Sequence, residues 1–407
     1  MALSALLAAS GRRVAVIDGG LATHLETGLG QDISSSLWSA GLLQDDASGS
    51  EGEGSGNAAI VQAHLDYLNA GAELIGSCNY QTAHQTFARI GLGAAEAERL
   101  MLRAISLAAQ ARTRFLDSAA GKARTAAGHK RPLSALSLGP YGATLSNGAE
   151  YTGVYPSPAD TGADMSMDEL VAFHVQRLRP FASNTEAWSA IDVLALETLP
   201  RADEALACRL ALKQLENECL AKDAAWQRKE LLISFVFPAG EQLPWPSAKR
   251  SLAQECEALL DATLGAVGEA GAPPGAAAIG INCTKPHFLQ PLVAALTEAL
   301  SRRALAAHPH LFVSAAPALR LNEALTSSSQ LYPDGGQVWD GINKTWSAGP
   351  DVPAEHATPA GWAQALLTSA RPATENAAWG GVWLGGCCKS GDKEIAELSR
   401  LVLEEKK

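Results

Sequence analysis

The chain has 407 residues, a formal net charge of −11 at pH 7 and a pI of about 5.4. An acidic chain without a basic stripe cannot neutralise a phosphate backbone, so the composition argues against nucleic acid as a partner. Hydrophobic residues make up 47% and charged residues 18% of the chain, a balance that excludes disorder over its whole length. No segment reaches the roughly 20 consecutive apolar residues of a membrane span, so we expect no membrane association.

The pattern of short apolar runs predicts the secondary structure. Runs rich in β-branched residues predict strands at 14–18, 73–77, 133–138, 192–197, 231–237, 277–282, 311–315 and 381–385. The segments between them have helical periodicity and predict helices over 58–69, 94–116, 167–179, 201–215, 248–267, 286–300, 359–367 and 389–403. This alternation predicts one domain over 1–407, a TIM-type (β/α)8 barrel of the α/β class, although a doubly wound sheet has a similar local pattern.

Three segments depart from this alternation. The opening MALSALLAAS is apolar but lacks a basic region and runs directly into the first strand, so we expect it to belong to the fold and not to a signal peptide. The acidic Gly/Ser-rich tract 45–57 predicts a flexible insertion. Residues 316–358 are rich in Pro, Ser and Asn and predict an irregular insertion in the seventh βα unit.

Functional residues of such a barrel lie at the C-terminal ends of its strands. The polar residues at those positions include Asp18, Tyr80, Glu197, Asn282, Cys283, Cys387 and Cys388. We therefore expect them on one face of the molecule, where the ends of the sixth and eighth strands are close enough to share a metal ion.

Seven cysteines are an odd number and fit no disulfide framework of a small secreted domain, which favours a reducing, cytoplasmic location. Free cysteines are often simply buried small hydrophobes, but Cys283, Cys387 and Cys388 occupy polar or Gly-rich strand ends. Three thiolates, two of them after a flexible Gly-Gly turn, favour zinc with one open position. An iron–sulfur cluster with Cys78 as the fourth ligand is the minor alternative.

Two carboxylates and two aromatic residues are further candidates for the functional site. Asp18 and Glu197 could act as a general acid and base, but beside a thiolate-bound metal they fit recognition of an amino-acid ammonium group better. Trp38 and Tyr80 are either core aromatics or binding residues, and their place in loops after the first two strands supports binding. Three histidines in helical segments are assigned to structure and not to catalysis: His24, His64 and His84.

The chain resembles the homocysteine S-methyltransferase family over nearly its whole length, from about Val14 to the last helix. The resemblance rests on the segments IDGGLATHLE, LWSAG, HLDYLNAGAELI, NYQT, SLGPYGA, ETLP, GINCTKP, YPDGGQVWD and GGCC. It implies a (β/α)8 barrel and a zinc ion held by Cys283, Cys387 and Cys388. It also implies that Asp18 and Glu197 hold the amino group of homocysteine and that Asn282 lines the metal pocket.

The same resemblance implies the reaction. Homocysteine would lose its thiol proton at zinc and attack the methyl group of a sulfonium donor, S-methylmethionine or S-adenosylmethionine, to give methionine. Trp38 and Tyr80 would attract the cationic donor by cation–π contact. The alternatives are a betaine or selenocysteine methyltransferase on the same barrel and, from a different class, a non-catalytic zinc-binding or thiol-sensing protein. The sequence leaves the donor and the oligomeric state open.

Overall fold

A computed structural model of the chain describes most of its residues. The described residues are 2–46, 55–158, 163–245, 250–265, 272–305, 307–315, 337–340, 345–348 and 358–404. The strands are β1 Val14–Val16, β2 Leu74–Gly76, β3 Leu133–Leu138, β4 Val193–Leu199, β5 Glu230–Phe235, β6 Ala278–Thr284, β7 His310–Ala315, β8 Gln337–Asp340, β9 Thr345–Ala348 and β10 Gly381–Gly386.

Helices alternate with these strands. The α-helices are α1 Ala2–Ser10, α2 Leu21–Thr23, α3 Gly56–Ala70, α4 His84–Ala88, α5 Ala94–Asp117, α6 Ala119–Ala126, α7 Met167–Ala182, α8 Thr185–Ala190, α9 Ala202–Leu220, α10 Leu252–Leu264, α11 Pro286–Ser301, α12 Pro359–Thr374 and α13 Asp392–Glu404. A π-helical turn, His24–Gly28, extends α2, and 3₁₀ segments cover Trp38–Asp46, Tyr141–Thr144 and Ala149–Tyr151.

Eight parallel strands form one sheet in the order β1-β10-β7-β6-β5-β4-β3-β2. A parallel bridge between Ile17 and Leu74 joins the two ends of that order, so the sheet closes on itself. The predicted (β/α)8 barrel is therefore confirmed, and all eight predicted strands are present. A doubly wound sheet would leave two open edges, so the alternative is wrong.

The barrel separates two apolar cores. Its interior holds small and medium side chains with two stacked aromatic rings, Phe312 and Trp383, whose centroids are 5.4 Å apart. Leu3, Leu6 and Leu7 of α1 pack into the same cluster. The backbone N–H of Leu3 donates to Glu230 and the Ser4 hydroxyl meets His310, the first residues of β5 and β7, so α1 covers the N-terminal end of the barrel.

The second and larger core lies between the strands and the outer helices. Its helices begin at sequence-encoded caps. Ser166 and Glu169 form a capping box at α7, and Ser251 and Gln254 form another at α10. Each such cap satisfies orphan backbone donors and stabilises its helix by about 1 kcal/mol.

The two predicted insertions fall mostly outside the described residues. Within 45–57, Ser55 caps α3, which begins at Gly56. Within 316–358, β8 and β9 pair antiparallel with Trp339 opposite Trp346. In the described part of the chain, no helix is long and apolar enough to cross a membrane.

Candidate active site

A cavity of about 150 Å³ opens at the C-terminal ends of the barrel strands. Every residue to which the sequence assigned a site role lines it: Asp18, Trp38, Tyr80, Glu197, Asn282, Cys283, Cys387 and Cys388. The described lining includes no lysine or arginine. The cavity is thus acidic and rich in thiols, with Phe312 among its apolar lining residues.

Two barrel strands are irregular where they reach the cavity. The register between β4 and β5 shifts between Leu196 and Leu199, and that between β6 and β7 shifts between Ile281 and Thr284. Within these bulges Thr198 has a φ of 62° and Cys283 a φ of 49°, values that non-glycine residues rarely adopt. Bulges redirect side chains, and strained backbone concentrates at functional sites.

The Gly-Gly pair before the vicinal cysteines is not a turn. Gly385 and Gly386 are the last, buried residues of β10, so the expectation of a flexible turn is wrong. A Cβ on Gly385 would stand 2.6 Å from the carbonyl oxygen of Asp18, and one on Gly386 would overlap Ser390. The pair lacks side chains because β10 and its loop pack directly against neighbouring backbone.

A second glycine pair completes this contact from the other side. A Cβ on Gly19 would stand 2.5 Å from the carbonyl oxygen of Ser390, and one on Gly20 would overlap the carbonyl of Cys387. The Tyr67 hydroxyl donates to the carbonyls of Gly20 and Ser390 at 3.0 and 3.1 Å. Together the glycines and Tyr67 hold the two cysteines against the end of β1.

The three thiols influence each other's acidity. Hydrogen bonding with the thiols of Cys283 and Cys387 holds the pKa of Cys388 well below its usual value, and the pKa of Cys283 is raised in return. These opposite pKa shifts are explained if the Cys388 thiolate accepts hydrogen bonds from the other two thiols. The Asn282 amide donates to the Cys283 sulfur at 3.4 Å, a contact that favours negative charge on sulfur.

Asn282 also links the two bulges. Its carbonyl oxygen accepts from the backbone N–H of Thr198 at 2.9 Å and from the Ser234 hydroxyl at 2.8 Å. Its amide nitrogen donates to the Thr198 hydroxyl at 2.7 Å. The side chain therefore fixes the ends of β4, β5 and β6 relative to one another.

No metal arrangement is preformed in the described part of the chain. Within it, no group of three or more His, Cys, Asp or Glu side chains is arranged so that it could hold a metal ion. The donor set nevertheless fits zinc chemically, because three thiols reach one cavity and one sulfur accepts an N–H donor. Cys78 lines the cavity too, but burial raises its pKa to about 12 and its thiol pairs with Ser39.

Two half-buried carboxyl groups share the cavity. The pKa of Asp18 is raised to about 8, mainly by burial and also by the nearby Glu197 carboxyl. The Gly76 backbone N–H, which donates to Asp18 at 2.7 Å, acts in the opposite direction. Burial likewise raises the pKa of Glu197 to about 7, against a hydrogen bond with Ser137. Neither carboxyl has a cationic partner in the described lining, so this part of the cavity suits an ammonium group.

Aromatic rings line another part of the cavity. The rings of Trp38 and Tyr80 meet edge to face with centroids 6.4 Å apart, and Tyr151 also lines the wall. The guanidinium of the buried Arg177 donates to four carbonyls in this region, at Asn79, Tyr80, Thr82 and Gly139. It therefore fixes the backbone that carries the Tyr80 ring.

The three histidines lie outside the cavity lining. His24 pairs with Asp66 at 2.8 Å, and His84 with Glu98 at 3.1 Å. His64 is fully buried, and burial lowers its pKa to about 4. These placements agree with structural assignments.

Sequence reasoning missed several lining residues. Ser137 and Ser234 are polar residues inside otherwise apolar strands, LSALSL and ELLISF, and that contrast was the available signal. No sequence pattern marked Tyr151 as a lining residue, because the long segment that follows β3 brings it to the cavity.

Comparisons with known proteins identify the family to which the chain is similar. The sequence profile described as homocysteine S-methyltransferase matches residues 15–402. Homocysteine S-methyltransferase 1 of Brassica oleracea var. italica is 31% identical over 95% of this chain and 92% of that protein, and the selenocysteine Se-methyltransferase of the same plant is 30% identical over 82% and 76%. The metallated form of the homocysteine methyltransferase MmuM from Escherichia coli has the same fold, with a TM-score of 0.61 and 24% identity over 98% of this chain and 99% of that one. The chain belongs to the homocysteine S-methyltransferase family.

Proposed function

We propose that the protein transfers a methyl group from a sulfonium donor to the thiolate of homocysteine, gives methionine, and depends on zinc. The observation that carries the proposal is the meeting of three thiols and two carboxyls in one cavity of a chain from this family. The thiols suit the sulfur end of homocysteine, and the carboxyls suit its ammonium end.

Asp18 and Glu197 bind the ammonium group in this proposal. In the free protein their raised pKa values, about 8 and about 7, leave Asp18 mostly protonated and Glu197 about half protonated at pH 7. An ammonium ion between them supplies the missing opposite charge and lowers both pKa values. Binding the amine at this pair would orient the acceptor so that its sulfur points to the cysteines.

Cys283, Cys387 and Cys388 would hold zinc. Zinc held there would lower the pKa of an incoming thiol, so that the thiol proton would leave to solvent and the sulfur would stay a thiolate. The amide of Asn282 would hold Cys283 in place and stabilise negative charge on its sulfur, at the 3.4 Å contact. The close backbone packing of the glycine pairs would keep Cys387 and Cys388 oriented.

The rings of Trp38, Tyr80 and Tyr151 form one side of the cavity, the aromatic wall, which would receive the methyl donor. Rings such as Tyr80 and Trp38 attract a cation through their π faces. Holding the acceptor sulfur and the donor methyl carbon close and aligned can contribute roughly 7–11 kcal/mol to lowering the barrier. The methyl group moves to sulfur, the donor keeps the electron pair of the broken bond, and a neutral thioether leaves.

All seven cysteines are free thiols. Free thiols persist in a reducing compartment, which supports a cytoplasmic role in methionine biosynthesis.

Selenocysteine is the second candidate acceptor, favoured by the 30% identity to a selenocysteine Se-methyltransferase. Its selenol and ammonium groups could bind the same thiol and carboxyl ends of the cavity.

A parallel assay tests these assignments. The zinc-loaded protein is incubated with homocysteine and, separately, with S-methylmethionine, S-adenosylmethionine or betaine, and methionine is measured by mass spectrometry. We expect methionine from a sulfonium donor, and we expect chelation of zinc to abolish it. Methionine from betaine alone would overturn the sulfonium assignment, and bound zinc without methionine from any donor would favour a non-catalytic zinc protein. A run with selenocysteine compares the two acceptors.

A further inference from the structure

One buried carboxyl group near the cavity has an oxygen that no described residue pairs with. Glu150 lies in the 3₁₀ segment Ala149–Tyr151 and is 2% exposed. Among the described residues, its Oε2 atom has no hydrogen-bond partner. A buried carboxyl group that lacks a partner costs several kcal/mol when it ionises, so a residue of this kind calls for a ligand or a functional explanation.

Glu150 directly precedes Tyr151, which lines the cavity, but is not part of the lining itself. Burial is the main cause that raises the pKa values of Tyr80 and Tyr151, which both line the cavity, and the Glu150 charge adds to it. Burial is the main cause that raises the pKa of Glu150 itself to about 7, and the Cys388 thiol adds to it. Only its own backbone N–H opposes this rise, and no cation does.

The backbone holds Glu150 closely in this position. Gly142 faces it, and a Cβ there would stand 2.5 Å from the Glu150 nitrogen and 2.8 Å from the Tyr155 ring. The absence of a side chain at Gly142 therefore allows the two 3₁₀ segments after β3 to pack together. This packing, together with the hydrogen bond from its own backbone N–H, holds the carboxyl group in position.

We propose that the Glu150 carboxylate is the counter-charge for the cationic centre of the methyl donor and so determines specificity for charged donors. This inference rests on the proposed methyl transfer. Asp18 and Glu197 already account for the ammonium of the acceptor, whereas a sulfonium brings a second positive charge to a cavity wall of neutral rings. Glu150 supplies the negative charge that the wall lacks.

The position of this charge has a kinetic consequence. The sulfonium is fully positive before transfer and becomes a neutral thioether afterwards. A fixed carboxylate therefore binds the donor more strongly than the transition state or the departing thioether. Loss of this charge should therefore weaken the bound donor more than the transition state, so that the donor KM rises and the rate at saturation does not fall.

The variant Glu150→Gln tests the proposal, because it keeps the side-chain shape and removes the charge. With S-methylmethionine as donor, we expect the donor KM to rise roughly 10- to 100-fold, in line with loss of a charged contact. The KM for homocysteine should stay within about threefold, and kcat should stay equal or rise. Glu150→Asp keeps the charge and should restore part of the donor affinity, and the melting temperature of each variant checks folding.

Two results would overturn the role of Glu150. One is an unchanged donor KM, and the other is an equal rise of both KM values in a variant that melts like the original protein. Calorimetric binding of S-methylmethionine without an acceptor separates this proposal from the proposed function. Suppose that the original protein binds S-methylmethionine, that Glu150→Gln does not, and that no donor yields methionine. The role of Glu150 in donor binding is then supported, and the proposed methyl transfer is wrong.

Discussion

The two ends of the barrel are built on opposite principles. At the N-terminal end, Leu3, Leu6 and Leu7 cover an interior of close-packed apolar side chains around Trp383. At the C-terminal end, the strands bulge, non-glycine residues adopt positive φ, and two half-buried carboxyl groups have raised pKa values. Packing stabilises the N-terminal end, whereas strained backbone and ionisable groups at the C-terminal end lower stability in favour of a functional site.

The boundary between them is a single layer of side chains. Phe312 lines the cavity on one side and stacks on Trp383 on the other. Substitutions above and below this layer should therefore separate loss of activity from loss of stability. The following predictions test that separation, from the largest expected effect to the smallest.

Cys387→Ser should reduce methyl transfer to the background rate and remove bound zinc, because the metal loses a thiolate ligand. The melting temperature without zinc should stay close to that of the original protein. Zinc content by atomic absorption and an assay of methionine formation measure both effects. Cys219→Ser is the matched control, since Cys219 lies on α9 and donates only to the Ala182 carbonyl. Full activity of Cys387→Ser with normal zinc content would disprove the metal assignment.

Trp383→Ala should lower the free energy of unfolding by about 3–5 kcal/mol, because it leaves a large cavity in the barrel interior. Trp383 is fully buried. At a temperature well below the transition, the KM for homocysteine should stay near its original value. Denaturant titration measures the first quantity and steady-state kinetics the second. A large change in KM without a loss of stability would show that the two ends are not separate.

Glu197→Gln should raise the KM for homocysteine roughly 10- to 100-fold, since a charged contact with the ammonium is worth about 1.5–3 kcal/mol. The melting temperature of the free variant should be equal or higher, because a buried carboxyl with a raised pKa has been replaced by a neutral amide. The exposed Glu186→Gln serves as the control. An unchanged KM would remove Glu197 from the amine site.

The pH dependence of stability should show the smallest effect. The folded-state pKa values of Asp18 and Glu197, about 8 and about 7, lie above their unfolded values. The folded protein thus binds more protons than the unfolded chain between about pH 4 and pH 8, and these groups lose their stabilising contribution as the pH rises through that range.

We therefore expect the Asp18→Asn/Glu197→Gln double variant to gain melting temperature relative to the original protein as the pH increases from 5 to 8. The comparison is made without substrate, because an ammonium ligand would lower both pKa values. A constant difference over this range would contradict the raised pKa values.

The sequence predicted the framework well because strand and helix periodicities are local. All eight barrel strands were found, and the rule that function lies at strand ends brought Asp18, Glu197 and Cys283 to one cavity. What it could not supply depends on contacts distant along the chain. The bulges at Thr198 and Cys283 are properties of strand pairing, and the conformation of Gly385 and Gly386 is set by the end of β1.

The other omissions have the same origin. Arg177 reads as an ordinary charge on an amphipathic helix, yet it binds four carbonyls from the loops after β2 and β3. Tyr151 reaches the cavity, and Glu150 lies beside it, through a long segment whose path has no periodicity.

The position of β10 between β1 and β7 has a consequence during protein synthesis. The ribosome completes Gly386 only after the seven other barrel strands have emerged, and until then β1 and β7 each leave an unpaired edge. Over that interval the nascent chain presents the Cys283 thiol without the two partners that later share its proton. The final strand therefore closes the sheet and brings Cys387 and Cys388 to Cys283 in one step. Before that step, the chain on a translating ribosome would be an incomplete barrel. Its open strand edges would be exposed to misassociation and its thiol to oxidation.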